Sequence, residues 1–282
     1  MLSGFDHFII LVNDLDTAMQ TFRRLGFDAR AGGQHPAFGS HNALIAFADG
    51  TYIELVAFKD VALAVSTFWR AGVDRLRVGE GFAGYVLNSN DLVSDAAAFQ
   101  QKSLAFDAPQ AGARVRPDGQ RVEWHTSMFE KSPVGLMPFV IQDDTPRALR
   151  IEPAQEGMGS RARAKEIVVV CKNVDRARDA YHVLLGVEPK RVHNAAGDVA
   201  GYRLAMEWGS LVLAHPERHG NAMADHLAQR GEGIFALTLQ VNGLGRDRIR
   251  FRYENVMLQP DGSGFLIPPA LTCGARIRLI SE

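Results

Sequence analysis

Phe5–Leu15 reads FDHFIILVNDL, and Phe82–Leu92 reads FAGYVLNSNDL. The two align without a gap at a spacing of 77, sharing Phe, Asn, Asp and Leu. A third copy, AKEIVVVCKNVD from Ala164, aligns with the first at a spacing of 159. The same 159 carries Gly50-Thr51-Tyr52-Ile53-Glu54 onto Gly209-Ser210-Leu211-Val212-Leu213. At a spacing of 152, Gly79-Glu80-Gly81 recurs as Gly231-Glu232-Gly233, and Asn90 and Leu92 recur as Asn242 and Leu244. Short apolar runs resemble one another, so each match alone is weak. Matches in consistent order along the chain point to a repeat, and a repeat decides the architecture. The chain divides into four units, near 5–58, 82–142, 164–216 and 233–281, paired into two halves.

Each unit has the same internal order. Phe8–Val12 is an apolar, β-branched run, the pattern of a buried strand. Asp14 or Asp16 can cap a helix whose apolar face holds Leu15, Met19 and Phe22, and Leu25-Gly26 ends it. Ala43–Ala48 and Tyr52–Phe58 read as strands joined by a tight Asp49-Gly50 turn. The order is β, α, β, β, β. In unit two, Asp118-Gly119 makes the turn; in unit three, Val174–Leu185 is the helix. In unit four, Gly243 and Gly245 stand where a helix should start, so a short or missing helix is expected there. Val61–Arg75 reads as a helix connecting units one and two, and Pro216–Arg230 as its counterpart. The fold class is therefore α+β: four βαβββ modules in two domains, 1–145 and 164–282, joined by a linker at 146–163 with no clear period.

The chain has 282 residues with 31 Lys plus Arg and 32 Asp plus Glu, a net charge of −1. That balance argues against a nucleic-acid partner, which selects a basic excess. No run approaches the roughly 20 apolar residues of a membrane span. The start, MLSGFDHFII, lacks the basic residues and cleavage site of a signal peptide. Two cysteines, Cys171 and Cys273, form no framework and read as small buried apolar residues. A cytoplasmic location is the expectation.

Paired βαβββ units resemble the vicinal oxygen chelate superfamily, which includes glyoxalase I, extradiol dioxygenases and antibiotic-resistance binding proteins. More narrowly, FDHFIILVNDL, GGQHPAFGSHNALIAFADGTYIELVAF, RVEWHTSMF and PFVIQDD look like the glyoxalase-like domain family. The resemblance is good over about 1–145 and holds for the second half only as a general pattern. It implies two units rolled face to face into a cup that holds a metal or an organic ligand. It also implies metal ligands on the first and last strand of each unit, and it is compatible with a homodimer.

In unit one those positions are His7 and Glu54, a pairing suited to zinc, nickel, manganese or iron. Unit two offers Gly84 and Pro138 or Phe139, none of which can coordinate through a side chain. Units three and four offer Glu166, Leu213, Ala236 and Leu266. The ligand set of a ring-cleaving extradiol dioxygenase is missing, which disfavours that activity. His35, in the glycine loop Gly32-Gly33-Gln34-His35, Asn42, Trp124 and His125 are the further candidates for ligand contact. Strand alternation sends Trp124 and His125 to opposite faces, so one of them packs away from the cup. Each candidate also has a bland reading. His7 can be a strand histidine bonded to Glu54, His35 a loop stabiliser, and Glu166 an exposed strand start. His219 and His226 read as a solvated helix face. Trp69 and Trp208 read as core or interface.

Two functions follow. In the first, His7 and Glu54 serve as catalytic groups, with or without a metal, in lyase or isomerase chemistry on a small oxygenated molecule through an enediolate-like intermediate. In the second, the cup sequesters a small molecule without metal. A third role leaves the diverged second half only to cover the first cup or to dimerise.

Overall fold

The computed structural model describes residues 2–129, 132–133, 135–193 and 199–282. The first half builds eight strands: β1 Leu2–Leu11, β2 Ala29–His35, β3 Ser40–Ala46, β4 Tyr52–Phe58, β5 Gly81–Ser89, β6 Gln110–Val115, β7 Arg121–Ser127 and β8 Phe139–Asp143. The second half builds eight more: β9 Ala162–Val170, β10 Lys190–His193, β11 Val199–Met206, β12 Gly209–Pro216, β13 Gly233–Val241, β14 Gln259–Asp261, β15 Gly264–Ile267 and β16 Arg276–Ser281. The helices are α1 Leu15–Arg24, α2 Val61–Val65, α3 Arg70–Val78, α4 Leu92–Gln101, α5 Arg147–Arg150, α6 Val174–Leu185, α7 Ala222–Arg230 and α8 Leu244–Tyr253.

The first eight strands run in the order β1-β4-β3-β2-β6-β7-β8-β5, and β5 returns to β1 to close a barrel. The second eight run β10-β11-β12-β9-β13-β16-β15-β14, the same order cut open between β10 and β14. The expected four-unit α+β architecture is therefore present. The repeat is visible in its irregularities too. Against β5, the register of β1 slips between Phe5 and His7, leaving Asp6 as an extra residue. Against β13, the register of β9 slips between Ala164 and Glu166, leaving Lys165 extra. Asp6 and Lys165 stand 159 apart, the spacing of the sequence repeat. The slips at Ala83 and Phe235 stand 152 apart, the other repeat spacing.

Local chemistry explains the elements. Asp14 is the cap of α1, its carboxylate accepting from Thr17 N at 2.7 Å, while Leu15, Met19 and Phe22 bury the inner face. The Asp49 carboxylate holds the β3–β4 turn by accepting from Thr51 N and Oγ1, with Gly50 at φ +80.

Three expectations are corrected. Unit four does have a full helix, the ten-residue α8. Gly243 costs it nothing, because it sits before the helix at φ +70. Leu244 and Phe251 then anchor α8 in the core. The connection between units one and two is two short helices, α2 and α3, rather than one. Finally, Gly32–His35 is strand, not loop. Gly33 has φ +141, and a Cβ there would lie 2.1 Å from Val115 O. Glycine is needed so that β2 can reach β6 and close the barrel through the Gln34–Val115 pair.

One continuous apolar core runs through both halves, from Phe8, Phe22 and Tyr85 to Tyr181, Leu213 and Phe251. Phe5 meets Trp208 edge-on at 4.6 Å, which makes Trp208 an interface residue as expected. A second, smaller cluster lies inside the barrel and includes Ile9, Val56, Trp69, Val86 and Ile141.

Candidate functional site

β1 and β4 run parallel, with Ile9 opposite Glu54 and His7 opposite Tyr52. His7 and Glu54 therefore share the inner face, where they line a cavity of about 80 Å³. His7 Nε2 lies 3.3 Å from Glu54 Oε2. On the other side of the ring, Nδ1 donates to Asp6 Oδ1 at 2.6 Å. Strict alternation would turn neighbouring Asp6 outward; the slip at Asp6 lets both side chains meet. His7 also stacks on Tyr52, with ring centroids 4.6 Å apart and planes 16° from parallel.

Asp6 is fully buried and held by the linker segment. Arg150 Nη2 donates to its Oδ2 at 2.7 Å, and Arg147 donates to the same oxygen. Arg150 also grips Asp143 and the Tyr52 hydroxyl. Burial opposes the charge on Asp6, but Arg150, His7 and Arg147 keep its carboxyl well below the usual range. Burial also opposes protonation of His7, yet its bonds to Asp6 and Glu54 raise its pKa. Burial pushes Glu54 up, and His7, His35 and Asn42 outweigh it, bringing Glu54 to about 2. The His7 ring thus lies between two carboxylates, and both favour its charged form.

Asn42 Nδ2 donates to Glu54 Oε1 at 2.6 Å. His35 Nε2 lies 3.9 Å from the same oxygen, and its Nδ1 lies 3.2 Å from Ser40 Oγ. Desolvation drives His35 down to about 4, so it is neutral at pH 7. Trp124 crosses His35 edge-on at 6.1 Å. Gly112 on the paired strand leaves it room, since a Cβ there would lie 2.4 Å from Trp124 Nε1.

The structure thus gathers His7, Glu54, His35, Asn42 and Trp124 around one cavity. It excludes His125, which alternation turns outward; that side chain is 43% exposed and pairs with Asp144 at 2.8 Å. Glu166 is not an exposed strand start: it is largely buried and pairs with Arg203 and Ser210. His226 is half-buried, edge-on to Phe235, and His219 precedes α7 rather than sharing its face. Trp69, expected as core, also lines the cavity. Residues not foreseen are Asp6, Tyr52, Arg114 and Arg150. The Arg147–Arg150 spacing on one helical turn was their only signal in the linker.

The donors do not add up to a metal site. Glu54 commits one oxygen to Asn42 and faces His7 with the other. The adjoining wall, from β5 and β8, is Val86, Phe139 and Ile141, which offer no ligand. Among the described residues no three His, Cys, Asp or Glu side chains converge on a metal position.

The glyoxalase-like domain family matches residues 5–185 of this chain. The chain belongs to that family. No curated protein matches it in sequence. Among solved structures, this glyoxalase-like chain is similar to a hypothetical protein from Staphylococcus aureus, at 15% identity and a TM-score of 0.71, covering 100% of both chains. It is also similar to a variant of 4-hydroxymandelate synthase from Streptomyces coelicolor, at 14% identity and a TM-score of 0.63, covering 99% of this chain and 92% of that one. At those identities the likeness is one of fold. Among the described residues no helix is long and apolar enough to cross a membrane.

Proposed function

We propose that the N-terminal barrel binds a small oxygenated organic molecule and that His7 and Glu54 move a proton on it. The Asp6–His7–Glu54 chain carries this reading, because it places a buried acid and a buried base side by side on one cavity wall. A carbonyl oxygen entering between them can take the Nε2–H hydrogen bond that Glu54 now holds. Losing that bond makes Glu54 more basic, since the bond to His7 is the chief influence holding its pKa down. Glu54 then accepts the proton from the carbon beside the carbonyl, and His7 donates its Nε2 proton to the oxygen. On a 2-hydroxy carbonyl compound the product is an enediol, with Glu54 neutral and His7 uncharged. Glu54 then returns its proton to the former carbonyl carbon while the neighbouring hydroxyl gives its proton to His7 Nε2, which completes an isomerisation and restores both groups. Asp6 fixes the ring and favours its charged form throughout. No step needs a metal.

The test is exchange of carbon-bound hydrogen for solvent deuterium, followed by proton NMR over a panel of hydroxyaldehydes and hydroxyketones. Wild type should exchange at least one compound, and His7→Gln or Glu54→Gln should slow it by about 100-fold or more. No exchange above buffer by wild type contradicts proton transfer. The aromatic end of the cavity, with Phe38, Phe68 and Trp69, favours a second reading as a sequestering protein. Binding without any exchange would select that reading.

A further inference from the structure

One buried cation beside His7 and Glu54 forms no close ion pair among the described residues, and Glu54 acts on it only from a distance. Arg114 on β6 is 3% exposed and makes no ion pair among the described residues. Its Nη2 donates to Arg150 O, but its Nε has no partner. The cations around it are all answered. Arg150 has Asp6 and Asp143, His7 has Asp6 and Glu54, and Arg30 and Arg116 share Asp28, Asp118 and Glu152. Leaving a guanidinium donor buried and unpaired is costly unless something completes it.

A second orphan sits next to it. Asn42 is 2% exposed, and its Oδ1 has no donor. The amide cannot simply be turned, because Nδ2 is committed to the Glu54 carboxylate. The two groups meet above Gly32, where a Cβ would lie 2.3 Å from Asn42 Oδ1 and 3.0 Å from Arg114 Nη1. The unmet atoms, Arg114 Nε and Asn42 Oδ1, thus belong to neighbouring residues that both line the same cavity.

The surroundings say what could bridge them. Arg114 and Arg150 also line an outer cavity of about 350 Å³, which adjoins the His7 cavity at these two residues. At the other end, Phe68, Trp69 and Phe139 lead into an apolar cavity of about 250 Å³. A carboxylate accepts from Arg114, a hydroxyl beside it donates to Asn42 Oδ1, and an apolar substituent lies towards Trp124 and Phe139. We propose that Arg114 and Asn42 together anchor the carboxylate and adjacent hydroxyl of a 2-hydroxy acid carrying an apolar group. The proposal rests on the barrel cavity being the binding site and names the ligand class it takes.

The experiment is calorimetric titration of the full chain with 2-hydroxy-3-phenylpropionate, its amide, and 3-phenylpropionate. Wild type should bind the hydroxy acid about tenfold or more tighter than the amide, and tighter than the acid without the hydroxyl. Arg114→Gln should erase the acid–amide difference, and Asn42→Ser should reduce the hydroxyl preference. His125→Ala, outside the barrel, should keep both preferences. Equal wild-type affinity for acid and amide overturns the anchor, and that comparison stands even where a variant fails to fold. If the equal binding is still lost in Trp124→Ala, the cavity remains the binding site and only the anchor falls. Binding indifferent to Trp124→Ala, or no binding at millimolar concentration, sinks the cavity reading as well.

Discussion

His7 Nε2 and Glu54 Oε2 lie 3.3 Å apart on parallel neighbours, diagonal across the β1–β4 register, inside a closed barrel. Each holds the other's charge in a place where neither would keep it alone. Glu54→Leu should therefore leave His7 with Asp6 only and destabilise the fold by about 3 kcal/mol. Glu54→Gln, which keeps the shape, should cost less. Urea titration of the two variants measures the order, and nitrogen NMR should show the His7 ring losing its second proton at a lower pH in both.

Acid should unfold the protein earlier than its carboxylates alone would. His35 is held at about 4 when folded and returns to about 6.5 when unfolded, so the unfolded chain binds the extra proton. Stability is lost as pH falls from 6.5 through 4. Glu54, held at about 2, adds a further loss below its unfolded value of 4.5. His7 acts in the opposite window: its raised pKa stabilises below 6.5, and that part is lost as pH rises through the folded value. His35→Asn should flatten the fall between pH 6.5 and 4 in denaturation midpoints, while leaving the fall below 4.5. An unchanged slope would place the titration elsewhere.

The linker arginine should matter more than one of the expected site histidines. Arg150→Met strips Asp6 and Asp143 of a shared partner and should cost about 3–5 kcal/mol. His125→Ala removes only a surface pair and should stay within about 0.5 kcal/mol. Thermal melts of both variants check the contrast.

Barrel closure depends on a glycine. Gly33→Ala puts a Cβ against Val115 O at a φ of +141 and should part β2 from β6, costing about 2 kcal/mol or more. Gly50→Ala has a positive φ but open space around it, and should cost about 1 kcal/mol. Hydrogen exchange at Gln34 and Val115 should rise in the first variant and not in the second.

Much of this fold can be read from the residues because it is written more than once. The spacings 159 and 152 that align Phe5 with Ala164 and Glu80 with Glu232 reappear as paired register slips in the strands. His7 and Glu54 are legible through the family resemblance, which implies ligands on the first and last strand of a unit. What periodicity hides is departure from periodicity. Asp6 looks outward-facing until the slip at that residue is known. Gly32 and Gly33 look like a ligand loop because a single chain does not show the neighbouring strand they make room for. Alternation narrows Trp124 and His125 to one inward residue but does not choose between them. Arg147 and Arg150 lie in a segment with no repeat partner, and Asp6, the buried carboxylate they share, is far away in sequence.

The central claim is that the cavity around His7, Glu54 and Arg114 is where this protein meets its ligand. Its most direct test is a crystal structure after soaking with 2-hydroxy acids and small hydroxycarbonyl compounds. A bound compound is expected inside the N-terminal barrel, within hydrogen-bond distance of His7 Nε2 or the Arg114 guanidinium. Compounds bound only outside the barrel, with that cavity unvisited, would contradict it.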